Sequence, residues 1–230
     1  MPRIIRSIPA LAAFAALAAT LLLAGCLART TGPKPVPDPA PSQNSPAGAV
    51  YRFAYCWQNR DTDRYSRLFT QDYILTPAVG DSSANSAPHP WDRDAELLAT
   101  SHMFVGDSTH TPPAKITLAF DRTLVPLSDP RPAHANRWHH FIRTHVDLNL
   151  IQDAGGGSTG TKQVQGLAAF YLVRGDSAQI PEALAAKGVK PDSTRWYIER
   201  MEDETLPSGA GLHALPAKNT TWYSVLASYL

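Results

Sequence analysis

Imidazole and carboxylate groups are concentrated in one stretch, Trp138-His139-His140-Phe141-Ile142-Arg143-Thr144-His145-Val146-Asp147. A neutral imidazole beside a carboxylate can ligate zinc or take up a proton near neutral pH. In an extended strand alternate side chains share a face. His139, Phe141, Arg143, His145 and Asp147 therefore fall on one side, with His145 and Asp147 as near neighbours. His139 and His145 are six residues apart, roughly 20 Å along a strand, too far for one ion. The simpler reading is a polar sheet face with Arg143 and Asp147 paired across strands. His89, His102, His110, His134 and His213 are scattered and show no ligand spacing, so neither a metal nor another cofactor is expected. A serine hydrolase is not expected, since no Gly-x-Ser-x-Gly elbow stands between a strand and a helix. Gly155-Gly156-Gly157-Ser158 is like a phosphate loop only in composition: it lacks the lysine and opens no helix. Asn219-Thr220-Thr221 matches a glycosylation acceptor.

The chain has two cysteines, Cys26 and Cys56. The first closes a segment with a clear physical pattern. Arg3 and Arg6 give a positive start, and Ala10 to Leu23 is almost wholly Ala, Leu and Phe. That run falls short of the ~20 apolar residues a transmembrane helix needs and reads as an export signal. Leu23-Ala24-Gly25-Cys26 resembles the bacterial lipobox. Small residues precede the cut because the peptidase admits little bulk, and the cysteine thiol forms a thioether to lipid. The resemblance implies a mature chain that starts at lipidated Cys26 and partners a membrane through its acyl chains. In that family a residue other than Asp after the cysteine, here Leu27, directs the protein to the outer membrane, facing the periplasm, in a Gram-negative cell. Cys56 then has no intrachain disulfide partner. Between Tyr55 and Trp57 it is expected to be a buried thiol, acting as a small hydrophobe.

Net charge is +1, so the basic excess of a nucleic-acid binder is missing. The apolar fraction of 43% suffices for one medium-sized domain after the signal is removed. The chain divides into signal (1–25), lipidated cysteine and Pro-rich tether (26–46), main domain (47–205), and C-terminal loop with a short helix (206–230). In the tether, Pro33, Pro35, Pro37, Pro39, Pro41 and Pro46 alternate with small and polar residues, which favours extended backbone.

The elements that must position any site follow from periodicity. Val50, Phe53, Ala54 and Trp57 make one stripe of a helix over 47–59. A short helix capped by Asp61 or Thr62 follows, with Tyr65, Leu68 and Phe69 on one side. Asp72 to Pro77 leads into a loop through Pro90. A third helix runs from Trp91 to Gly106, with Ala95, Leu98 and Met103 or Phe104 as its apolar side. The period then becomes two: strands are expected over 115–120, 140–150, 163–174 and 195–204. A glycine-rich hairpin loop covers 153–161, and a connection over 175–193 holds a helix started by Pro181 and ended near Gly188. Trp222, Val225, Leu226 and Tyr229 form a last amphipathic helix capped by Thr220 or Thr221.

This order predicts an α+β domain, with N-terminal helices packed on a strongly curved antiparallel sheet. Ala54-x-x-Trp57, Asp61-x-Asp63-x-Tyr65-x-x-Leu68-Phe69-x-x-Asp72-Tyr73 and Trp196-x-Ile198 resemble the nuclear transport factor 2-like superfamily, with its SnoaL-like and ketosteroid-isomerase-like members, over 47–205. The resemblance implies a cystatin-like cone with a pocket, which Tyr51, Tyr55 and Tyr73 could reach. Isomerase-like members use a carboxylate base with a Tyr or protonated Asp donor, and dehydratase-like members a His–Asp pair; no motif here transfers either. Because Ile142, Val146 and Leu148 are expected to face inward, His145 and Asp147 should face out. The sequence thus favours a non-catalytic cone that binds a small apolar ligand or an envelope protein. An isomerase, dehydratase or cyclase is the alternative. The superfamily resemblance also implies a homodimer through the outer sheet face, with His139, Phe141, Arg143 and His145 at the interface.

Overall fold

The computed structural model describes residues 38–81, 83, 91–134, 137–153, 159–205 and 220–230. The signal, Cys26 and the tether up to Pro37, His89, the hairpin tip 155–158, the loop 206–218, His213 and Asn219 lie outside the described residues.

Helix α1 (Pro46–Asn59) starts where the Ser45 hydroxyl accepts the Gly48 N–H, with Pro46 at the first helical position. It ends at Arg60, which turns into the left-handed region at φ 54°. Helix α2 (Thr62–Ser66) is capped by the Asp61 carboxylate and α3 (Arg93–Val105) by that of Asp92. The strands are β1 (Phe69–Thr76), β2 (Trp91–Asp92), β3 (Lys115–Phe120), β4 (Leu127–Ser128), β5 (His139–Asp153), β6 (Thr159–Arg174) and β7 (Trp196–Thr205). Helix α4 (Glu182–Ala185) sits between β6 and β7, and α5 (Trp222–Ala227) near the C-terminus.

One sheet of seven strands runs β2-β1-β7-β6-β5-β3, with β4 also on β5. Two corrections follow. Residues 72–76 are strand rather than lead-in to a loop, and β1 pairs with β7 in parallel, so the sheet is mixed. The burial pattern of β1 is irregular because its register on β7 shifts between Phe69 and Ile74, which hides the period-two signal. The long β5–β6 hairpin is antiparallel throughout, from His139 opposite Val173 to Asp153 opposite Thr159. A second register shift leaves Glu199 of β7 unmatched opposite Tyr171 and Leu172, and Gly166 within β6 has φ 145°. Such irregularities bend strands, and the curved sheet wraps the helices as the α+β reading requires.

The core lies in that concavity. The ring of Phe53 lies within 6.3 Å of those of Trp57, Tyr65, Phe69, Phe120, Phe170 and Trp222. Cys56 is fully buried beside it. Helix α5 closes the interior: Trp222 lies 4.5 Å from Trp57 and Tyr223 4.9 Å from Trp91, centroid to centroid. Asp203 and Thr205 on β7 hold this helix by accepting the backbone N–H groups of Tyr223 (2.9 Å) and Trp222 (3.1 Å).

The Pro-rich segment is packed before it reaches Pro46. Ala40 and Gln43 are buried, and the Gln43 side-chain amide donates to the Trp196 carbonyl (2.7 Å) while the Gln43 backbone carbonyl accepts the Trp196 N–H (2.9 Å). Gly48 permits this: a Cβ there would lie 2.0 Å from the Ser42 carbonyl oxygen. Among the described residues no helix is long and apolar enough to cross a membrane.

Candidate functional site

Among the described residues, a buried ionisable constellation centres on Glu96. Glu96 on α3 accepts a hydrogen bond from the Tyr65 hydroxyl (2.6 Å) at one carboxylate oxygen and from the Trp91 indole N–H (3.0 Å) at the other. Burial pushes the Glu96 carboxyl up to about 7, against the downward pull of those two bonds. Burial, reinforced by Glu96, drives the Tyr65 and Tyr73 phenols well above their ordinary range. The Tyr73 hydroxyl has no hydrogen-bond partner among the described residues. A carboxyl that titrates near neutrality beside tyrosines has the composition of an acid–base pair. Its access argues otherwise: Glu96, Tyr65, Tyr73 and Trp91 are each at most 1% exposed.

The sequence reading of α3 missed Glu96 because it set the helix face one residue off. Arg93, Glu96, Ala99, Thr100, Met103 and Phe104 point inward, while Leu98 is 49% exposed. The spacing 96, 99, 100, 103 is the helical stripe, and a glutamate within it is the signal that could have found the site.

An accessible concavity lies outside the cone, between α1 and β3. Its volume is about 540 Å³, and Pro41, Ala54, Leu118 and Phe120 supply apolar walls. Tyr51 and Tyr55 stand in it with Gln58, Asp121 and Arg122. The Tyr51 hydroxyl donates to the Arg122 carbonyl (2.9 Å) and the Gln58 amide to the Leu118 carbonyl (2.6 Å), which fixes both side chains. The size and apolar lining match small-molecule sites. The three tyrosines of the sequence reading thus part company. Tyr51 and Tyr55 face this outer groove because they flank the buried stripe of α1, whereas Tyr73 alone enters the interior.

The polar face of β5 points away from the core. His145 and Asp147 are exposed, while His139 and Phe141 are partly covered. Arg143 pairs with Glu204 (Nε to Oε2 2.7 Å) rather than with Asp147, because β7 glutamates reach across the intervening β6. Asp147 accepts from Asn149 (2.9 Å) instead. His145 pairs with Asp121, Nδ1 to Oδ1 3.0 Å. The His145 backbone N–H, the His145 ring and the Thr144 hydroxyl hold the Asp121 carboxyl below its ordinary value. Phe141 packs on Tyr171 at 5.1 Å, and the Arg131 guanidinium lies 4.5 Å over the same tyrosine.

Histidines scattered in sequence meet in space. His102, Asp107 and His110 form one cluster, and His134, His139 and Glu199 another; within each the candidate donor atoms lie within 4.8 Å of one another. In the second cluster Arg131 occupies Glu199 at 2.8 Å.

No protein-family model and no curated protein matches the chain. Solved structures do show a likeness. A conserved protein from Planctomyces limnophilus is 15% identical with a TM-score of 0.45, covering 70% of this chain and 92% of that one. A proposed scytalone dehydratase from Novosphingobium aromaticivorans is 12% identical with a TM-score of 0.42, covering 75% and 87%. A protein of cystatin-like fold from Nostoc punctiforme is 10% identical with a TM-score of 0.41, covering 70% and 89%. At these values the α+β assignment rests on the strand order and packing described above.

Proposed function

We propose that this chain is an exported lipoprotein, anchored to the cell envelope through lipid on Cys26, whose cone binds a small apolar ligand in the groove beside Tyr51 and Tyr55 and catalyses no reaction. The observation that carries this reading is the closed interior. Phe53, Trp57, Phe69, Phe104, Phe170 and Trp222 are all nearly inaccessible there, while about 540 Å³ stays open outside. The export signal and the lipobox resemblance at Leu23–Cys26 support the anchor, and Leu27 supports outer-membrane sorting to the periplasmic side.

Native mass spectrometry of the chain, purified in detergent from a bacterial envelope, tests the binding half. An adduct that leaves on denaturation and disappears in Tyr55→Ala supports the groove. A clean mass, or an adduct indifferent to Tyr55→Ala, overturns it. Incorporation of labelled palmitate that Cys26→Ala abolishes tests the anchor; incorporation that survives refutes it.

A second reading, an enzyme of the isomerase or dehydratase kind, is favoured by Glu96 beside Tyr65 and Tyr73. It requires α5 to lift so that a substrate reaches the carboxyl. A ligand that protects the chain from denaturation in the unaltered form but not in Glu96→Gln would favour it over the groove. The outer sheet face supports a homodimer as well. Phe141→Asp should then halve the solution mass, and an unchanged mass sinks that version.

A further inference from the structure

The turn that follows α3 gathers three metal-ligating side chains around one point. Gly106 at φ 84° ends the helix and sends the chain back. Asp107 then organises the loop through a single oxygen: its Oδ1 accepts from the Thr109 N–H (2.6 Å), the Thr109 hydroxyl (2.9 Å) and the His110 N–H (2.7 Å). The other oxygen, Oδ2, faces His102 Nε2 at 3.2 Å and His110 Nδ1 at 2.9 Å.

The tautomer of His102 decides what sits between them. Its Nδ1 lies 2.8 Å from the Tyr229 backbone carbonyl. A carbonyl oxygen can only accept, so Nδ1 carries a proton. In the neutral ring Nε2 is then a bare lone pair 3.2 Å from a carboxylate oxygen, a contact that a proton or a metal ion on Nε2 makes favourable. A backbone carbonyl on the far nitrogen is how ligating imidazoles are held in orientation. A tetrahedral ion with bonds of 2.0–2.1 Å places its ligands about 3.3 Å apart, close to the 3.2 Å between His102 and Asp107, while His110 Nδ1 at 2.9 Å is now hydrogen-bonded to Asp107. His110 stacks on His102 at 5.0 Å and 11°, and its ring must turn out of that stack to share an ion with it.

We propose that His102, Asp107 and His110 bind a divalent transition-metal ion, with Zn²⁺ best suited to the two imidazoles and one carboxylate. The three side chains are 22%, 29% and 21% exposed, so an ion can enter. His110 also lines a cavity of about 320 Å³ with Gln152, Lys162, Ser228 and Tyr229. The cluster at His134 is the weaker candidate because the Arg131 cation already neutralises Glu199.

The test is titration of the chain, purified without a polyhistidine tag and stripped with a chelator, against Zn²⁺ in competition with a chromophoric chelator. One equivalent should bind. Asp107→Asn and His110→Gln should each weaken binding by about 100-fold or more, and His134→Gln should leave it unchanged. Zn²⁺ should also shift the ring resonances of His102 and His110 in the unaltered chain, which decides the question even if a variant fails to fold. No uptake at equimolar Zn²⁺ overturns the proposal and leaves a proton between His102 and Asp107. Uptake indifferent to Asp107→Asn and His110→Gln, or lost only in His134→Gln, overturns it equally.

Discussion

Glu96→Gln should make the fold more stable, and only above a defined pH. The carboxyl is raised from its ordinary 4.5 to about 7 inside the protein. Between those values the unfolded chain is ionised at this group and the folded chain is not, so the folded state binds more protons and stability falls as pH rises. The benefit of the neutral form is fully present below 4.5 and is gone once pH passes about 7. That interval, at about 1.4 kcal/mol per pH unit, makes ionising Glu96 in place cost about 3 kcal/mol. Glutamine copies the neutral acid. Its oxygen can accept from Trp91 and its amide can donate to the Tyr65 oxygen, so both existing contacts keep a partner. Urea unfolding of the two proteins from pH 4.5 to 8 isolates the group, because other titrations cancel in the difference. That cancellation includes Asp203, pushed up to about 6 mainly by burial and acting in the same direction. The variant should match the parent near pH 4.5 and exceed it by about 3 kcal/mol at pH 8. A difference that is flat across this range, or that shrinks as pH rises, refutes the reasoning.

Three further outcomes follow from the packing. Phe53→Ala removes the ring that six other aromatic rings surround. It should cost about 3–5 kcal/mol, and a loss under about 1 kcal/mol in urea unfolding would mean that the cavity collapses freely. Gly48→Ala forces the Ser42 carbonyl away and should break the Gln43–Trp196 pair, which limited proteolysis would read as faster cleavage within 39–45; an unaltered cleavage rate counts against the close approach. The Cys56 thiol, fully buried, should react with a thiol reagent only at the rate of unfolding, and rapid labelling under native conditions would contradict its placement.

Much of the fold was legible because burial imposes a period. The stripe Val50, Phe53, Ala54, Trp57 and the alternation Ile142, Val146, Leu148, Leu150 mark faces that must be dry, and both lie against the core. Strand β1 was not legible, since its register shift breaks the alternation and its partner β7 lies more than a hundred residues away in sequence. The sites were less visible still. Glu96 is a polar residue on an apolar stripe, and only Tyr65 and Trp91, brought in by other elements, make that position tolerable. His102 and His110 are eight residues apart across a helix end, and no strand or helix period joins them. Their meeting depends on the backward turn at Gly106 and on Asp107 tying the loop.

The pairing of Gln43 with Trp196 also determines where mechanical load enters the domain. A pull on the N-terminal segment meets the hydrogen bond from Arg52 of α1 to the Pro41 carbonyl (3.0 Å) and then the two bonds that tie Gln43 to Trp196 of β7. Strand β7 lies within the sheet, flanked by β1 and β6, so tension is spread over two strand ladders rather than peeling one helix from its end. If the segment tethers the domain to a membrane, the domain can ride on a taut line without surrendering its first helix.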